Sequence, residues 1–225
     1  MNVLVIVPVL NEAAVLDRTL SAIASQDREH ETIVVDGGST DETVAIATRY
    51  ARVISAPTGR ASQMNAGGRG ARADVLIFVH ADTILPSGAI AAVEEALEDP
   101  GVVGGRFRVR LDQRGWRYRI VEASINLRDL LVSGFTGDQA IFVRRTVFES
   151  LGGYRDMELM EDLDFGRRMA RCGKVVRLPL AVVTSARRWQ RNGVVRTVLL
   201  MWSLKILWAC GMPPSRLKRL YGDAR

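Results

Sequence analysis

Residues 2–12 read NVLVIVPVLNE, an apolar run that ends on an amide and a carboxylate. The continuous apolar run over Asn2–Val9 is typical of a strand that is covered on both faces, as in a parallel sheet. The next segment, Asn11–Gln26, carries its apolar residues close to helical spacing. A buried strand followed directly by a helix predicts the first unit of an α/β fold.

Strands and helices continue to alternate along the chain. A Ser-x-x-Glu capping box at Ser39–Glu42 predicts a helix through about Ala51, with Asp41 as a cap or turn former. The other predicted helices are Trp116–Val132 and one that begins at Glu161, and Arg60–Gly70 is predicted to be a short helix or a turn. The other predicted strands are Thr32–Val35, Arg52–Ser55, Asp74–Val79, Gly104–Val109 and Gln139–Arg144. We therefore expect an α/β fold with one doubly wound, mostly parallel sheet flanked by helices. No linker divides the chain, so we expect one domain over residues 1–190 and a basic, apolar helical extension over 191–225 packed on it.

Polar side chains follow three of the predicted strands at the point where each strand ends. Asn11 and Glu12 follow the first strand, Asp36 ends the second, and His80 and Asp82 follow the fourth. In an open α/β sheet, ligands bind outside the carboxyl ends of the strands. These side chains are therefore expected to share one binding site.

The turn after the first strand excludes two common nucleotide sites. It contains no glycine, so the Gly-x-Gly-x-x-Gly signature of a dinucleotide site is absent, and the chain has no Gly-x4-Gly-Lys phosphate loop. An acidic edge can still accept a diphosphate when a divalent cation bridges the two. Asp82, at a strand end, is where we expect such a cation.

The charge of the chain is unevenly distributed. The net charge is +6 overall, but residues 1–165 carry −7 and residues 166–225 carry +13. Only three of the 31 basic residues are lysine, so composition explains part of this excess, and we expect no nucleic-acid partner. Two cysteines, Cys172 and Cys210, exclude a disulfide scaffold and a zinc finger. Because the first residues lack a basic region and a cleavage site, we expect a cytoplasmic protein without a secretory signal.

The segment Val194–Met212 is apolar, but Arg196 and Lys205 interrupt it. The uncharged runs are shorter than the roughly 20 residues of a membrane-spanning helix. With Trp202 and Trp208 the segment could lie in a membrane interface. We expect it instead to dock on the core or to form a homodimer contact, with at most peripheral membrane contact.

Five short segments carry a resemblance to a known family. They are PVLNE at 8–12, VDGGSTD at 35–41, RxxQxNxG at 60–67, HAD at 80–82 and ED at 161–162. In this order and spacing, the chain resembles the family 2 glycosyltransferases of GT-A fold over roughly residues 3–190. The variants VDGGS, VHADT and SARRW, the last at 185–189, are similar to a small branch associated with arsenosugar and selenosugar biosynthesis.

The resemblance implies a UDP-sugar donor and a divalent metal, Mg²⁺ or Mn²⁺, as cofactor. Asp82 would bind the metal, while His80 replaces the first aspartate of the family's Asp-x-Asp element, and a neutral imidazole suits Mn²⁺ better than Mg²⁺. The donor-binding residues that the resemblance implies are Pro8, Asn11, Glu12 and Asp36 around the nucleoside, Arg60, Gln63 and Asn65 beside the phosphates, and His80, Ala81 and Asp82 at the metal.

The implied reaction is an inverting transfer of a hexose, glucose or N-acetylglucosamine, with Asp162 as the catalytic base. The predicted acceptor-binding residues are Glu161, Arg187, Arg188 and Trp189. Because arginine matches phosphate oxygens with bidentate hydrogen bonds, the arginines of 187–196 favour a small anionic acceptor such as selenophosphate. A solvated basic surface is the alternative interpretation of the arginines, and the alternative acceptors are an arsenosugar precursor and a lipid phosphate. The alternative functions are a nucleotidyltransferase, which normally opens with a Gly-rich loop that residues 10–14 lack, and a non-enzymatic basic protein that binds RNA or DNA.

Overall fold

The computed structural model describes residues 1–131 and 135–222, without the side chains of residues 127–131, 188 and 192. The strands are β1 (Val3–Val9), β2 (Glu31–Asp36), β3 (Arg52–Ser55), β4 (Val75–Phe78), β5 (Thr83–Ile84), β6 (Val102–Leu111), β7 (Ile141–Arg144) and β8 (Lys174–Thr184). The helices are α1 (Ala13–Ala24), α2 (Thr43–Ala47), α3 (Arg60–Gly68), α4 (Ala89–Ala96), α5 (Trp116–Leu131), α6 (Arg145–Ser150), α7 (Glu161–Met169), α8 (Arg187–Asn192), α9 (Val194–Ala209) and α10 (Pro214–Tyr221).

The strands form one mixed sheet in the order β3-β2-β1-β4-β7-β6-β8-β5. The pairs β3–β2, β2–β1, β1–β4 and β6–β8 are parallel, and the other three neighbouring pairs are antiparallel. The predicted α/β fold with a doubly wound sheet is confirmed. The sequence did not indicate that β7 would run antiparallel between β4 and β6.

The reversed strand β7 decides which loops meet at the sheet edge. Its first residue, Ile141, lies opposite Phe78, the last residue of β4. Because the two strands run in opposite directions, the residues just before β7 lie beside those just after β4. A single 3₁₀ turn at Gly137–Gln139 is thereby brought next to His80.

Strand β1 is covered on both faces, as its apolar run predicted. Val3, Val5 and Val7 belong to one buried cluster, and Leu4 and Ile6 belong to the other. The first cluster includes side chains of α1, α4 and α5, and the second includes side chains of α3, α6 and α7.

The capping box predicted at Ser39–Glu42 is wrong. Helix α2 begins only at Thr43, and the Ser39 hydroxyl accepts a hydrogen bond from the backbone N–H of Asn11 at 2.9 Å instead. The ends of β1 and β2 lie side by side, so this hydroxyl is used between loops rather than within its own turn. Asp41 has the predicted structural role, because its carboxylate accepts the backbone N–H groups of Thr43 and Ala13. A capping box is present instead at the 3₁₀ turn, where Thr136 and Gln139 cap each other.

The C-terminal helices pack against the start of α7. Leu204 of α9 and Leu217 of α10 are buried with Met160 and Leu163 in a small apolar cluster of their own. Within residues 1–131 and 135–222, no helix is both long enough and apolar enough to cross a membrane.

Candidate active site

A cavity of about 1180 Å³ opens at the carboxyl edge of β1 and β4. Its polar side is formed by residues that follow strands or begin helices: Asn11, Glu12, Arg60, His80, Asp82 and Arg187. Its apolar side is formed by helices and the loop before α7: Val121, Ile125, Leu159, Leu163, Val198, Met201, Trp202 and Leu204. A cavity of this kind, apolar in part with a few convergent polar groups, is the default form of a small-molecule site.

Two of the residues that line the cavity hold strained backbone conformations. Asn11 has a φ of 53° and Met160 a φ of 72°, both in the left-handed region that non-glycine residues rarely adopt. Asn11 is held there by the neighbouring loop, since its side-chain oxygen accepts the N–H of Thr40 at 2.8 Å. Such strain persists where the surroundings fix the residue, and it is concentrated at functional sites.

Arg187 links two carboxylates across the polar side. Its Nη2 lies 3.3 Å from Glu12 Oε2 and 3.4 Å from Asp82 Oδ2. The arginine-rich segment at 187–196 had predicted an acceptor-binding role for Arg187, but the structure places Arg187 against two residues predicted to bind the donor. Its single positive charge offsets one of their two negative charges.

His80 and Asp162 approach each other around Gly137. A Cβ atom on residue 137 would overlap both His80 Nε2 and Asp162 Oδ2. Glycine at this position therefore allows the 3₁₀ turn to sit against both side chains, and its N–H donates a hydrogen bond to the Asp162 carboxylate. His80 thus lies beside the predicted base as well as beside Asp82.

Asp162 has the most perturbed carboxylate in the site. Its pKa is raised from 3.8 to about 8, first by burial and then by the adjacent negative charge of Glu161, while the positive charge of Arg60 opposes the shift. Its Oδ1 is buried and has no hydrogen-bond partner among the described residues. A carboxyl group with such a pKa and one unpaired oxygen can take up a proton from a bound molecule near neutral pH.

An aromatic cluster and an ion pair fix the helix that carries Asp162. Tyr154 stacks on Phe165 with ring centroids 4.2 Å apart, and Phe78 of the sheet meets Tyr154 edge-on at 5.1 Å. Asp164 accepts a hydrogen bond from Arg168 at 2.7 Å, and the same arginine donates to the carbonyl of Gly153. These contacts tie the first turn of α7 to the sheet, which holds Asp162 at the cavity.

Five of the predicted donor-binding residues do not line this cavity: Pro8, Asp36, Gln63, Asn65 and Ala81. The Asp36 carboxylate accepts the N–H groups of Gly38 and Ser39 and closes its own turn. The Gln63 amide donates to the carbonyls of Val9 and Val35. Their roles toward a nucleoside therefore stay predictions.

Asn65 and Ala81 have structural contacts of the same kind. The Asn65 side chain exchanges two hydrogen bonds with the backbone of Tyr154, each 2.8 Å long. The carbonyl of Ala81 accepts the Thr19 hydroxyl at 2.7 Å. Pro8 is buried within β1, opposite Val35 of β2.

The predicted acceptor residues are only partly brought together. Glu161 and Trp189 line the cavity with Asp162, and Arg187 does so from the polar side. Arg188 lies in α8, and its side chain is outside the described part of the chain.

The sequence interpretation missed the 3₁₀ turn and the whole apolar side. The Thr-x-x-Gln spacing at Thr136–Gln139 is a visible capping signal that could have located the turn. No comparable signal marks Val121, Met201 or Leu204 as cavity residues. An apolar position on a helix has the same sequence pattern whether its side chain faces a cavity or a core.

The polar side fits a divalent cation that binds together with a diphosphate. The described residues contain no group of three or more histidine, cysteine or carboxylate side chains that could hold a metal alone. Magnesium sites of enzymes commonly use one or two carboxylates and take their other ligands from substrate phosphates and water. Asp82 and Glu12, which already share the cationic group of Arg187, offer such carboxylates at the cavity.

Similar proteins of known fold have a comparable architecture. TarS of S. aureus in complex with UDP-GlcNAc superimposes with a TM-score of 0.66 at 16% identity, over 83% of this chain and 59% of TarS. Glucosyl-3-phosphoglycerate synthase of Mycobacterium tuberculosis, in complex with Mn²⁺, UDP and glucosyl-3-phosphoglycerate, gives 0.65 at 20% identity, over 94% and 81% of the two chains. The chain thus spans less than two thirds of the TarS structure. These likenesses confirm the GT-A-like fold.

Sequence similarity identifies the family. The "PGL/p-HBAD biosynthesis glycosyltransferase" of Mycobacterium bovis is 34% identical over 178 residues, which cover 73% of this chain and 68% of that relative. Residues 4–152 match the glycosyl transferase family 2. Since this match covers more than half of the chain, the protein belongs to glycosyl transferase family 2.

Proposed function

We propose that the protein transfers a hexosyl group from a UDP-sugar to an acceptor bound on the apolar side of the cavity, with inversion at the anomeric carbon. The observation that carries the proposal is the Asp162 carboxyl group, which is buried in the cavity wall with one unpaired oxygen. The similar TarS and glucosyl-3-phosphoglycerate synthase structures contain UDP-GlcNAc and UDP, which supports a uridine nucleotide as donor.

The donor diphosphate would bind on the polar side. Asp82 would hold a divalent metal, Mg²⁺ or Mn²⁺, which when bound neutralises the charge of the departing diphosphate. Arg187 contacts Asp82 and is placed to share that neutralisation. Arg60, which lies within electrostatic reach of Asp82 and Asp162, would hold the phosphates from the other direction.

Asp162 would act as the general base. An acceptor hydroxyl placed beside Oδ1 would donate its proton to the carboxylate while its oxygen attacks the anomeric carbon and the bond to the diphosphate breaks. A base with a pKa near the operating pH combines a usable ionised fraction with a strong affinity for the proton. Gly137, whose N–H donates to the carboxylate, and His80, which lies against the same turn, would fix the orientation of the carboxylate.

The residues that line the cavity indicate the chemical class of the acceptor. The apolar side of the cavity, lined by side chains such as Ile125, Val198 and Met201, supports an acceptor with an apolar portion. Arg191 and Lys205 also line the cavity, which supports a phosphate group on the acceptor. A lipid phosphate combines both properties, and the small anion selenophosphate is the second candidate because it uses the two cationic groups alone.

Donor and acceptor are tested separately. Thermal shifts with UDP-, GDP- and CDP-sugars, each with and without Mn²⁺, identify the donor, and we expect the largest shift with a UDP-hexose plus Mn²⁺. UDP release is then measured with selenophosphate, a polyprenyl phosphate and a neutral alcohol, and the products are identified by mass spectrometry. If no nucleotide sugar shifts the thermal unfolding transition, the proposed donor is wrong. If selenophosphate is the one acceptor that supports turnover, the proposal of an acceptor with an apolar portion is wrong.

A further inference from the structure

Helix α9 exposes a continuous apolar face. Val195, Leu199, Trp202 and Ile206 follow one another at spacings of four, three and four residues, which places them on one side of the helix. Their side chains are between 43% and 71% exposed. The opposite side of α9 carries Leu204, which is buried in the cluster with α7 and α10. The exposed face is therefore not needed to attach the helix to the protein.

Helix α5 adds a second exposed apolar pair beside the same cavity. Trp116 and Ile120, one turn apart, are 69% and 59% exposed. The guanidinium of Arg117 lies 5.5 Å from the centre of the Trp116 ring. Helices α5 and α9 both contribute other side chains to the cavity, and the two helices contact each other. We call these six residues the apolar surface: Trp116, Ile120, Val195, Leu199, Trp202 and Ile206.

The part of the chain that carries the α9 residues of the apolar surface has basic residues and no acidic ones, although Arg187 and Lys218 are paired with carboxylates elsewhere in the chain. Residues 187–222 contain eight basic residues and no aspartate or glutamate. The basic residues are Arg187, Arg188, Arg191, Arg196, Lys205, Arg216, Lys218 and Arg219. Arg196 and Lys205 belong to α9 itself. Anionic lipid headgroups complement this charge, whereas a second copy of the chain would bring two basic surfaces together.

We propose that the apolar surface docks on a membrane that contains anionic phospholipids. Apolar side chains with tryptophan on one face and basic groups beside them are typical of helices that lie in a membrane interface. The indole rings of Trp116 and Trp202 would sit at the level of the headgroups, where amphipathic aromatic rings are most stable. Trp202 also lines the cavity, so the cavity opens where the membrane would lie.

Vesicle flotation of the full chain tests this proposal without any donor or turnover. Vesicles of phosphatidylcholine alone are compared with an equal mixture of phosphatidylcholine and phosphatidylglycerol, at low and high salt. We expect binding to the mixed vesicles that weakens with salt. Leu199→Ser combined with Ile206→Ser, at positions outside the cavity lining, is expected to lower the partition coefficient at least about tenfold. Val44→Ser, an exposed valine on α2, is the matched control and is expected to bind as the unmodified chain does.

Two results would overturn the proposal. One is the absence of binding to the mixed vesicles, or binding that the double substitution leaves unchanged. The other is a dimer in sedimentation velocity that the same double substitution dissociates while no vesicle binding is seen, since the apolar surface would then be a self-association contact. Circular dichroism of the double variant confirms that the exposed substitutions leave the fold intact. Because flotation needs no UDP-sugar, its failure is separate from failure of the proposed transferase activity.

Discussion

The polar side of the cavity is built on the ends of strands, whereas its apolar side is built from helices that pack on one another. Asn11, Glu12 and Asp82 follow strands whose register is fixed by continuous backbone pairing, so their spacing depends on the sheet. Leu204 and Val198 belong to a helix that packs on the protein through a small apolar cluster and through partly buried contacts with the main core. The sheet edge holds the charged groups of the site in fixed positions. Side chains on the helical side can be substituted without displacing those groups.

Asp162 lines the same cavity, and its removal has the largest expected effect. Asp162→Asn should retain UDP-sugar binding and lose about 10²–10⁴-fold in kcat, because the amide cannot accept the acceptor proton. Steady-state kinetics and calorimetry with UDP measure the two quantities separately. Glu149→Gln, a carboxylate on α6 paired with Arg145, is the control and should leave both unchanged. Undiminished kcat with intact binding would exclude the base role.

The attachment of the apolar side is tested by Leu204→Ala. Leu204 is 1% exposed, and truncation of a buried leucine costs about 2–5 kcal/mol of unfolding free energy. Leu199→Ala on the exposed face of the same helix should change the unfolding free energy by less than about 0.5 kcal/mol. Urea unfolding measures both variants. Equal stability of the two would show that α9 does not depend on the buried cluster.

The pH dependence distinguishes the buried carboxyl group of Asp162 from the half-buried acids of the polar side. With a pKa of about 8 in the free protein, kcat/KM should rise about tenfold between about pH 7 and pH 9 as Asp162 ionises, and Asp162→Asn should not show this rise. Stability should move the other way. Because the folded pKa lies above 3.8, the folded protein binds the extra proton, and the unfolding free energy falls as pH rises from about 4 to about 8. Thermal melts of both proteins across this range provide the check, and parallel curves would rule out the raised pKa.

The smallest expected effect is that of Arg187→Ala. This substitution tests whether Arg187 serves donor binding or acceptor binding. Its contacts with Glu12 and Asp82 predict a loss of UDP-sugar affinity of about fivefold with the acceptor KM unchanged, since exposed ion pairs contribute little. The earlier assignment from sequence predicts the reverse, a raised acceptor KM with donor affinity unchanged. Calorimetry with the UDP-sugar and acceptor titrations separate the two outcomes, and Arg216→Ala is the control for loss of an exposed positive charge.

The sequence by itself determined the strand at Val3–Val9, the α/β alternation and the polar strand ends, because the periodicity of apolar residues and the position of the first polar residue are local properties. It also marked Asp82 and Asp162 through the resemblance to the family. Only the tertiary structure decided that β7 runs antiparallel beside β4, which brings Gly137 against His80 and Asp162. Only the tertiary structure decided that Asp36 and Gln63 bond to backbone groups and that Arg187 pairs with Glu12 and Asp82. These contacts depend on which distant groups lie within hydrogen-bond reach. For the same reason the apolar side of the cavity could not be predicted: a leucine on a helix has the same sequence signature whether it meets a core, a cavity or a membrane.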